Sequence, residues 1–403
     1  MKTVIAEAGQ FVGQEVTIGA WLVNRRSSGN RAFLQFRDGT GFIQGIVVKS
    51  DVGEDLFKKA KSAVKGSSVY VTGMVQEDHN SLIGCELIIT NLEIVSVLMD
   101  PLEVSNTYGI ESEADHHHLW FRSRRQHAVM KIRNEIIRST TAFFKQQGFV
   151  QEDQSVVMRN APEAASAGMM FSFKQDVRSD KLHAGRHLIE CWMIEPTTAC
   201  SYFEDHLKVQ EEYVIHIIRS VLKNCQLELD RLGRDTLKLE NVQAPFPRIT
   251  YDQALEFLHK NGFHHMKWGD HFDASHKTAI AERYGYPMFI TDYPALMKSC
   301  YIPLGESREK IVLCAVLIAP ERSGEMMADS KRMKEQAIVQ ENDIWGPQWR
   351  KNSPFPYVSI ELSLEQMIAW ISGVERIHEM IPFPQVIHHL PASSQCRVGK
   401  LKR

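Results

Sequence analysis

The sequence of 403 residues has no apolar run long enough to cross a membrane, and its opening, MKTVIAEAGQ, lacks the apolar core of a secretion signal. A cytoplasmic protein without membrane contact is the expectation. Cysteine is scarce: seven residues, at 85, 191, 200, 225, 300, 314 and 396, form no CxxC pair and no Cys/His spacing suited to zinc. A disulfide framework is thereby excluded and reduced thiols are left. An excess of positive charge is missing too. With 47 Lys and Arg against 49 Asp and Glu, the formal net charge of -2 excludes a globally basic nucleic-acid binder, so any phosphate contact must come from local patches. Internal repeats and low-complexity tracts are also lacking.

What is present is enough apolar material, 43% of the chain, to bury more than one core, and two domains are expected. Between residues 15 and 97 lie five runs rich in β-branched and aromatic residues: EVTIGAWLV, RAFLQFRD, GFIQGIVVK, SSVYVTGMVQ and CELIITNLEIVSV. A helix-like stretch, DLFKKAKSAV, falls between the third and fourth. Five strands with a helix in that place form the order of an oligonucleotide-binding (OB) barrel, assigned to residues 1–102. Residues 103–121 are polar, without periodicity, and read as a linker. The larger domain spans 122–391 and a basic tail 392–403. Its helices are expected at KIRNEIIRSTTAFFKQQGF, stopped by Gly148, at EDHLKVQEEYVIHIIRSVLKN, and at SLEQMIAWISGVERIHEMI, halted by Pro382. Strand-like runs (LIECWMI, PMFIT, KIVLCAVLIA) mix irregularly with them, which favours α+β with an antiparallel sheet. The histidine triplet 116–118 gives no metal site on this reading, because consecutive side chains in an extended loop point different ways.

At HHHLWFRSRRQHAVMKIRNEIIRSTTAFFKQQGFV the chain resembles bacterial asparaginyl-tRNA synthetases, and the likeness resumes at RHLIECWMIEP, VLKNCQLEL, LCAVLIAPE and AWISGVE. The resemblance implies an α+β protein with two parts. One is an N-terminal OB barrel that grips the anticodon. The other is a class II antiparallel-sheet domain that uses ATP and Mg²⁺ to adenylate asparagine before transfer to tRNA. In the barrel, Phe33 resembles the residue that stacks on the middle anticodon base and Gln44 its edge reader, with Arg25 or Arg26, beside Trp21, as the basic partner. Single-stranded bases are caught by such aromatic platforms, each stack being worth about 1 to 3 kcal/mol. The alternative for Phe33 is plain barrel core. The basic run Arg122, Arg124, Arg125, Lys131 and Arg133 either faces tRNA phosphates or is a solvated helix face.

In the larger domain the resemblance gives Arg178 the part of the α-phosphate clamp. Asp180, standing for a glutamate, and His187 complete the retained ATP-site positions, and Glu325 is the remaining carboxylate of the metal cluster. Glu163, Ser330 and Arg332 match positions around the amino acid. Other positions depart from the family. Cys191 stands where an aromatic ring faces adenine, Gln366 where an arginine covers its other side, and Val316 where a second carboxylate holds the metal. GFGLGLER becomes SIELSLEQ, placing Ser359, Glu361 and Ser363 at glycine positions, and Thr197 and Gln385 replace a glutamate and an arginine. A few tens of residues, including a strand of the sheet, are missing between APEAA and FSFKQ. Gln154 and Ser155 replace a proline pair at the family's dimer interface, so dimerisation itself is left open, as a homodimer, as a heterodimer with a complete synthetase, or not at all. Two readings follow. One is a divergent paralogue that binds tRNA of the asparagine type but has lost, or largely lost, ATP-dependent aminoacylation; the other is an active adenylate-forming ligase, serving asparagine tRNA or another acceptor.

Overall fold

The computed structural model describes residues 1–79, 81, 83–97, 123–152, 169–177, 190–199, 203–297, 311–321, 325–326 and 357–382. It divides into two compact units, Met1–Tyr108 and Gly109–Arg403. The stretches on either side of the expected linker therefore fall in different units, while the linker itself lies outside the described residues.

The first unit is a closed barrel. Strand β1 (Lys2–Thr3) runs parallel to β2 (Glu15–Ser28); β3 (Arg31–Arg37) and β4 (Phe42–Val48) follow as antiparallel neighbours. Helix α1 (Lys49–Ser62), kinked at Gly53, precedes β5 (Ser68–Glu77) and β6 (Cys85–Ser96). Pairing of β4 with β6, β6 with β5 and β5 with β2 closes the ring. Period-two alternation decides what goes inside: Ala32, Leu34 and Phe36 of β3 are buried with Ile18, Leu22, Val71 and Leu87, while the residues between them face outward. Gly73 is required where β5 and β6 slip register, since a Cβ there would lie 2.3 Å from the Ile88 carbonyl oxygen. Asp38 ties the β3–β4 turn, its carboxylate accepting from Thr40 N at 2.8 Å and from Ile5 N at 2.7 Å.

In the second unit, helix α2 (Arg124–Gln146) is capped by Ser123, whose hydroxyl accepts from Gln126 N, and Gly148 takes the left-handed conformation just past its end. Strand β7 (Val150–Glu152) lies parallel to β8 (Met170–Val177), which pairs antiparallel with β9 (Glu190–Ala199). Helices α3 (Phe203–Asn224) and α4 (Gln226–Leu232) come next. Phe144 of α2 stacks on Phe171 of β8 and Tyr213 of α3, with centroids 5.1 and 5.3 Å apart. A second sheet follows, β10 (Arg248–Thr250), β11 (Met288–Pro294), β12 (Ile311–Ile318) and β13 (Glu325–Met326). Helices α5 (Tyr251–Lys260) and α6 (Ala274–Tyr284) pack with it. Strands β14 (Tyr357–Ser359) and β15 (Leu362–Ser363) return to pair with β9, and α7 (Leu364–Ser372) leaves them.

The fold is α+β as expected, with two refinements. The edge pairs β7–β8 and β10–β11 are parallel rather than antiparallel. The third expected helix does not run on to Pro382: α7 ends at Ser372, Gly373 adopts the left-handed conformation at φ 70°, and a separate short turn covers Ile377–Met380. Gly373 is the stop signal, because the left-handed region is open to glycine at little steric cost.

Candidate nucleic-acid interface and candidate catalytic floor

The outer face of the barrel is built by the strands that bury Leu34 and Phe36. Phe33, between the buried Ala32 and Leu34 in sequence, lies on the opposite side, half-buried, with Arg26 of β2 and Ile46 of β4 as its cross-strand partners. Residues directly opposite in neighbouring strands share a face, and the Arg26 guanidinium carbon sits 4.8 Å from the Phe33 ring centroid. The next row holds Asn24, Gln35 and Gln44 in register. Gln44 Nε2 donates to Glu86 Oε2 at 3.3 Å. One row further, Arg37 lies over Trp21 at 5.1 Å. Aromatic rings, amides and guanidinium groups thus line one surface, the combination that stacks bases and reads their edges.

Arg25 does not belong to that surface. Its partner is Leu34, which points into the barrel, so Arg25 turns to the inner side at the barrel's end, where its Nη1 donates to the Lys61 carbonyl of α1. Of the two arginines left open by the sequence, Arg26 is the one placed with Phe33. The sequence reading missed Arg37 as a member of this face. The alternation of RAFLQFRD carries the signal, since Phe33, Gln35 and Arg37 fall on one side.

Of the basic run, Arg122 lies outside the described residues and three of the others pair with carboxylates of neighbouring elements, only Arg133 being largely buried. Arg125 Nε meets Glu379 Oε2 at 3.0 Å, Lys131 Nζ meets Glu228 Oε1 at 3.4 Å, and Arg133 Nη1 meets Glu365 Oε1 at 3.1 Å. These cations hold α2 against its neighbours. Glu365 is fully buried; burial pushes its carboxyl above the usual range, opposed by Arg133 and by the Trp192 N–H that donates to Oε2 at 2.9 Å.

The sheet of β8 and β9 has one face on the main core, through Phe171, Phe173, Trp192 and Ile194. The other face carries Cys191, Met193, Glu195 and Thr197 of β9 with Ser172 and Lys174 of β8, by the same cross-strand register. Cys191 is buried, and Lys174 Nζ pairs with Glu195 Oε1 at 3.1 Å across the strands. Val316 of β12 is 3% exposed in an apolar cluster with Tyr251, Leu258 and Ile290. Ser363 is the N-cap of α7, its hydroxyl accepting from Gln366 N, with φ of -76°. Ser359, Glu361 and Ser363 all keep negative φ, so each carries its side chain without backbone strain.

Several residues singled out in the sequence lie outside the described residues: Glu163, Arg178, Asp180, His187, Ser330, Arg332, Gln154, Ser155, Gln385 and the histidine triplet. Glu325 is placed by its backbone, opposite Ile318 at the start of β13. Among the described residues no group of three or more His, Cys, Asp and Glu is arranged to hold a metal ion, and no helix is long and apolar enough to cross a membrane.

Two family models match the chain. The first is described as an OB-fold nucleic acid binding domain and covers residues 16–95; the second, described as tRNA synthetases class II (D, K and N), covers residues 164–387. Among solved structures, the chain is similar to the asparaginyl-tRNA synthetase of Pyrococcus horikoshii in complex with asparaginyl-adenylate. The identity is 25% and the TM-score 0.87, over 96% of this chain and 98% of that one. It is also similar to the asparaginyl-tRNA synthetase of Entamoeba histolytica (18% identity, TM-score 0.84, 96% and 98% covered). The aspartyl-tRNA synthetase of the same organism matches at 17% identity and TM-score 0.81, with 97% and 92% covered. The last two likenesses concern the fold alone.

Proposed function

The chain belongs to the class II tRNA synthetases (D, K and N), and on that premise we propose that it binds tRNA of the asparagine type through the outer face of its barrel, with ATP-dependent aminoacylation lost or strongly impaired. A contrast between the two units carries the reading. On the barrel, Phe33, Arg26 and Gln44 stand outward in adjoining rows, a complete set for stacking a base and reading its edge. On the second unit, the positions that the resemblance assigns to an adenine-facing ring and a metal-binding carboxylate hold the buried Cys191 and Val316.

Members of this family use ATP and Mg²⁺. The described residues of this chain do not fit the metal well. Mg²⁺ is held by oxygen ligands, and Val316 offers only methyl groups inside an apolar cluster. The adenine fares no better, since a thiol at Cys191 supplies neither the area nor the quadrupole of an aromatic ring; losing such a stack costs about 0.5 to 1.5 kcal/mol. The reading places the protein as a divergent paralogue, cytoplasmic, acting as a homodimer or beside a complete synthetase.

A second reading, an active adenylate-forming ligase, is favoured by one observation: the Pyrococcus enzyme in its asparaginyl-adenylate complex matches over 98% of its chain. Two measurements on the full chain separate the readings. Saturable binding of asparagine tRNA with no asparagine-dependent exchange of pyrophosphate into ATP is expected. Robust exchange overturns the claim of impairment, and failure to bind tRNA overturns the claim for the barrel.

A further inference from the structure

At the end of the barrel, next to the Phe33 face, a cavity of about 220 Å³ is lined by Arg25, Arg26, Ser27, Ala32, Ala60, Lys61 and Lys65. Four of the seven residues are cations, and no carboxylate lines the cavity. None of the four has an ion-pair partner among the described residues; Glu54 of α1 pairs with Lys49 and Lys58 instead. In a chain whose formal net charge is -2, four uncompensated like charges around one small cavity are a cost unless an anion visits. The geometry is also fixed in advance. Arg25 donates to the Lys61 carbonyl in the last turn of α1, a favourable place for a cation at a helix C-terminus, and this holds β2 and α1 together on opposite walls. The small side chains of Ala32 and Ala60 leave the space between them open.

Arg26 belongs to both places: its guanidinium lies over Phe33, and the residue lines the cavity. We propose that this cavity is a phosphate pocket that takes one backbone phosphodiester of the RNA strand next to the base held at Phe33, with Lys61 and Lys65 as its exposed cations. The inference rests on the proposed tRNA binding and adds a register to it. Stacking selects the base, and the pocket fixes where the chain leaves the platform. Phosphate contacts position a nucleic acid without reading its sequence.

The test is a salt titration of tRNA binding by the full chain, comparing wild type with the double variant Lys61→Gln, Lys65→Gln. Both lysines are exposed, so the fold should be kept, and a thermal melt verifies that. For a single strand, each phosphate neutralised contributes about 0.7 to the slope of log K against log salt. The variant is expected to bind about tenfold more weakly at low salt, with a slope shallower by about 0.7, and to keep the wild-type preference among anticodon sequences. An unchanged affinity and slope, in a protein whose wild type binds tRNA, overturns the pocket while leaving the barrel's function standing; a wild type that binds no tRNA sinks the parent reading instead. Inorganic phosphate alone separates a strand phosphate from a free anion. Weak competition at millimolar concentration is expected, and saturation at micromolar concentration overturns assignment to RNA.

Discussion

Replacing Phe33 by alanine tests whether the outer face of the barrel is a binding platform or merely the back of a core. Phe33 is half-buried between Arg26 and Ile46, whereas Phe36, three residues on, is fully buried. Removing a base-stacking ring costs about 1 to 3 kcal/mol of binding, a rise of roughly 5- to 150-fold in Kd. The stability of the free protein should fall far less than for a core ring, because Phe33 lies outside the buried core and its cation–π pair with the Arg26 guanidinium at 4.8 Å is worth about 0.5 to 1 kcal/mol. Phe36→Ala should behave oppositely, losing about 3 to 5 kcal/mol of stability through a core cavity. Titration of labelled asparagine tRNA at fixed salt, with a melt of each variant, measures both quantities. A double cycle with Arg26→Ala should show coupling of no more than about 1 kcal/mol, the size of the direct pair. If Phe33→Ala lowers the melting temperature as much as Phe36→Ala and leaves tRNA affinity untouched, the assignment of Phe33 to RNA is wrong.

Other perturbations probe the second unit. Arg133→Met strands the buried carboxylate of Glu365, so a loss of about 3 to 5 kcal/mol is expected in denaturant titration, with part of it recovered when Glu365→Gln is added. Acid should weaken the unit in two windows. Burial pushes His206 down to about 4 from its ordinary 6.5, so its stabilising effect is full above pH 6.5 and is lost as pH falls toward 4, about 3 kcal/mol in all; a pH series of melts on His206→Asn should lack that window. Although burial acts to raise it, Glu135 is pulled down to about 2 from 4.5 by donors from Arg138, Ser220, Asn224 and Ser139, so its contribution is full above pH 4.5 and is lost between 4.5 and 2. Val316→Asp should cost about 3 kcal/mol or more by placing a carboxyl among apolar side chains; a melt unchanged at neutral pH would show that the strand can turn this position to solvent.

Much of the fold was legible because burial follows period and turns follow glycine. The five barrel runs and the helix between the third and fourth all stand where the patterns put them. The choice between Arg25 and Arg26 was not legible. Adjacent residues of a strand point to opposite faces, and the register shift between Leu22 and Asn24 resets the phase of β2, so Trp21 and Arg26 share a face despite their odd spacing. The fate of the basic run in α2 was hidden for a different reason. Its partners, Glu228, Glu365 and Glu379, lie about a hundred residues or more downstream, and ion pairs of that range leave no local trace. The end of α7 was a misjudged choice between two signals, the apolar periodicity that continues to Ile381 and Gly373 that interrupts it.

The substitutions on the second unit have a common physical character. Val316 joins a continuous apolar cluster, Cys191 is accommodated as a small buried thiol, and Ser363 caps the helix that begins beside it. Each is accommodated by the packing or hydrogen bonding around it. A carboxylate facing a metal must be desolvated without a partner until the metal arrives, a flat ring must stay open on one face, and a glycine leaves its chain freer when unfolded. Functional sites hold such costs against stability, and relaxing them commonly stabilises a protein at the expense of activity. On the proposed reading, this unit has exchanged those costs for packing while the fold held. The barrel face has not, for Phe33, Trp21 and the guanidinium groups above them are still presented outward, in the arrangement on which a base can stack.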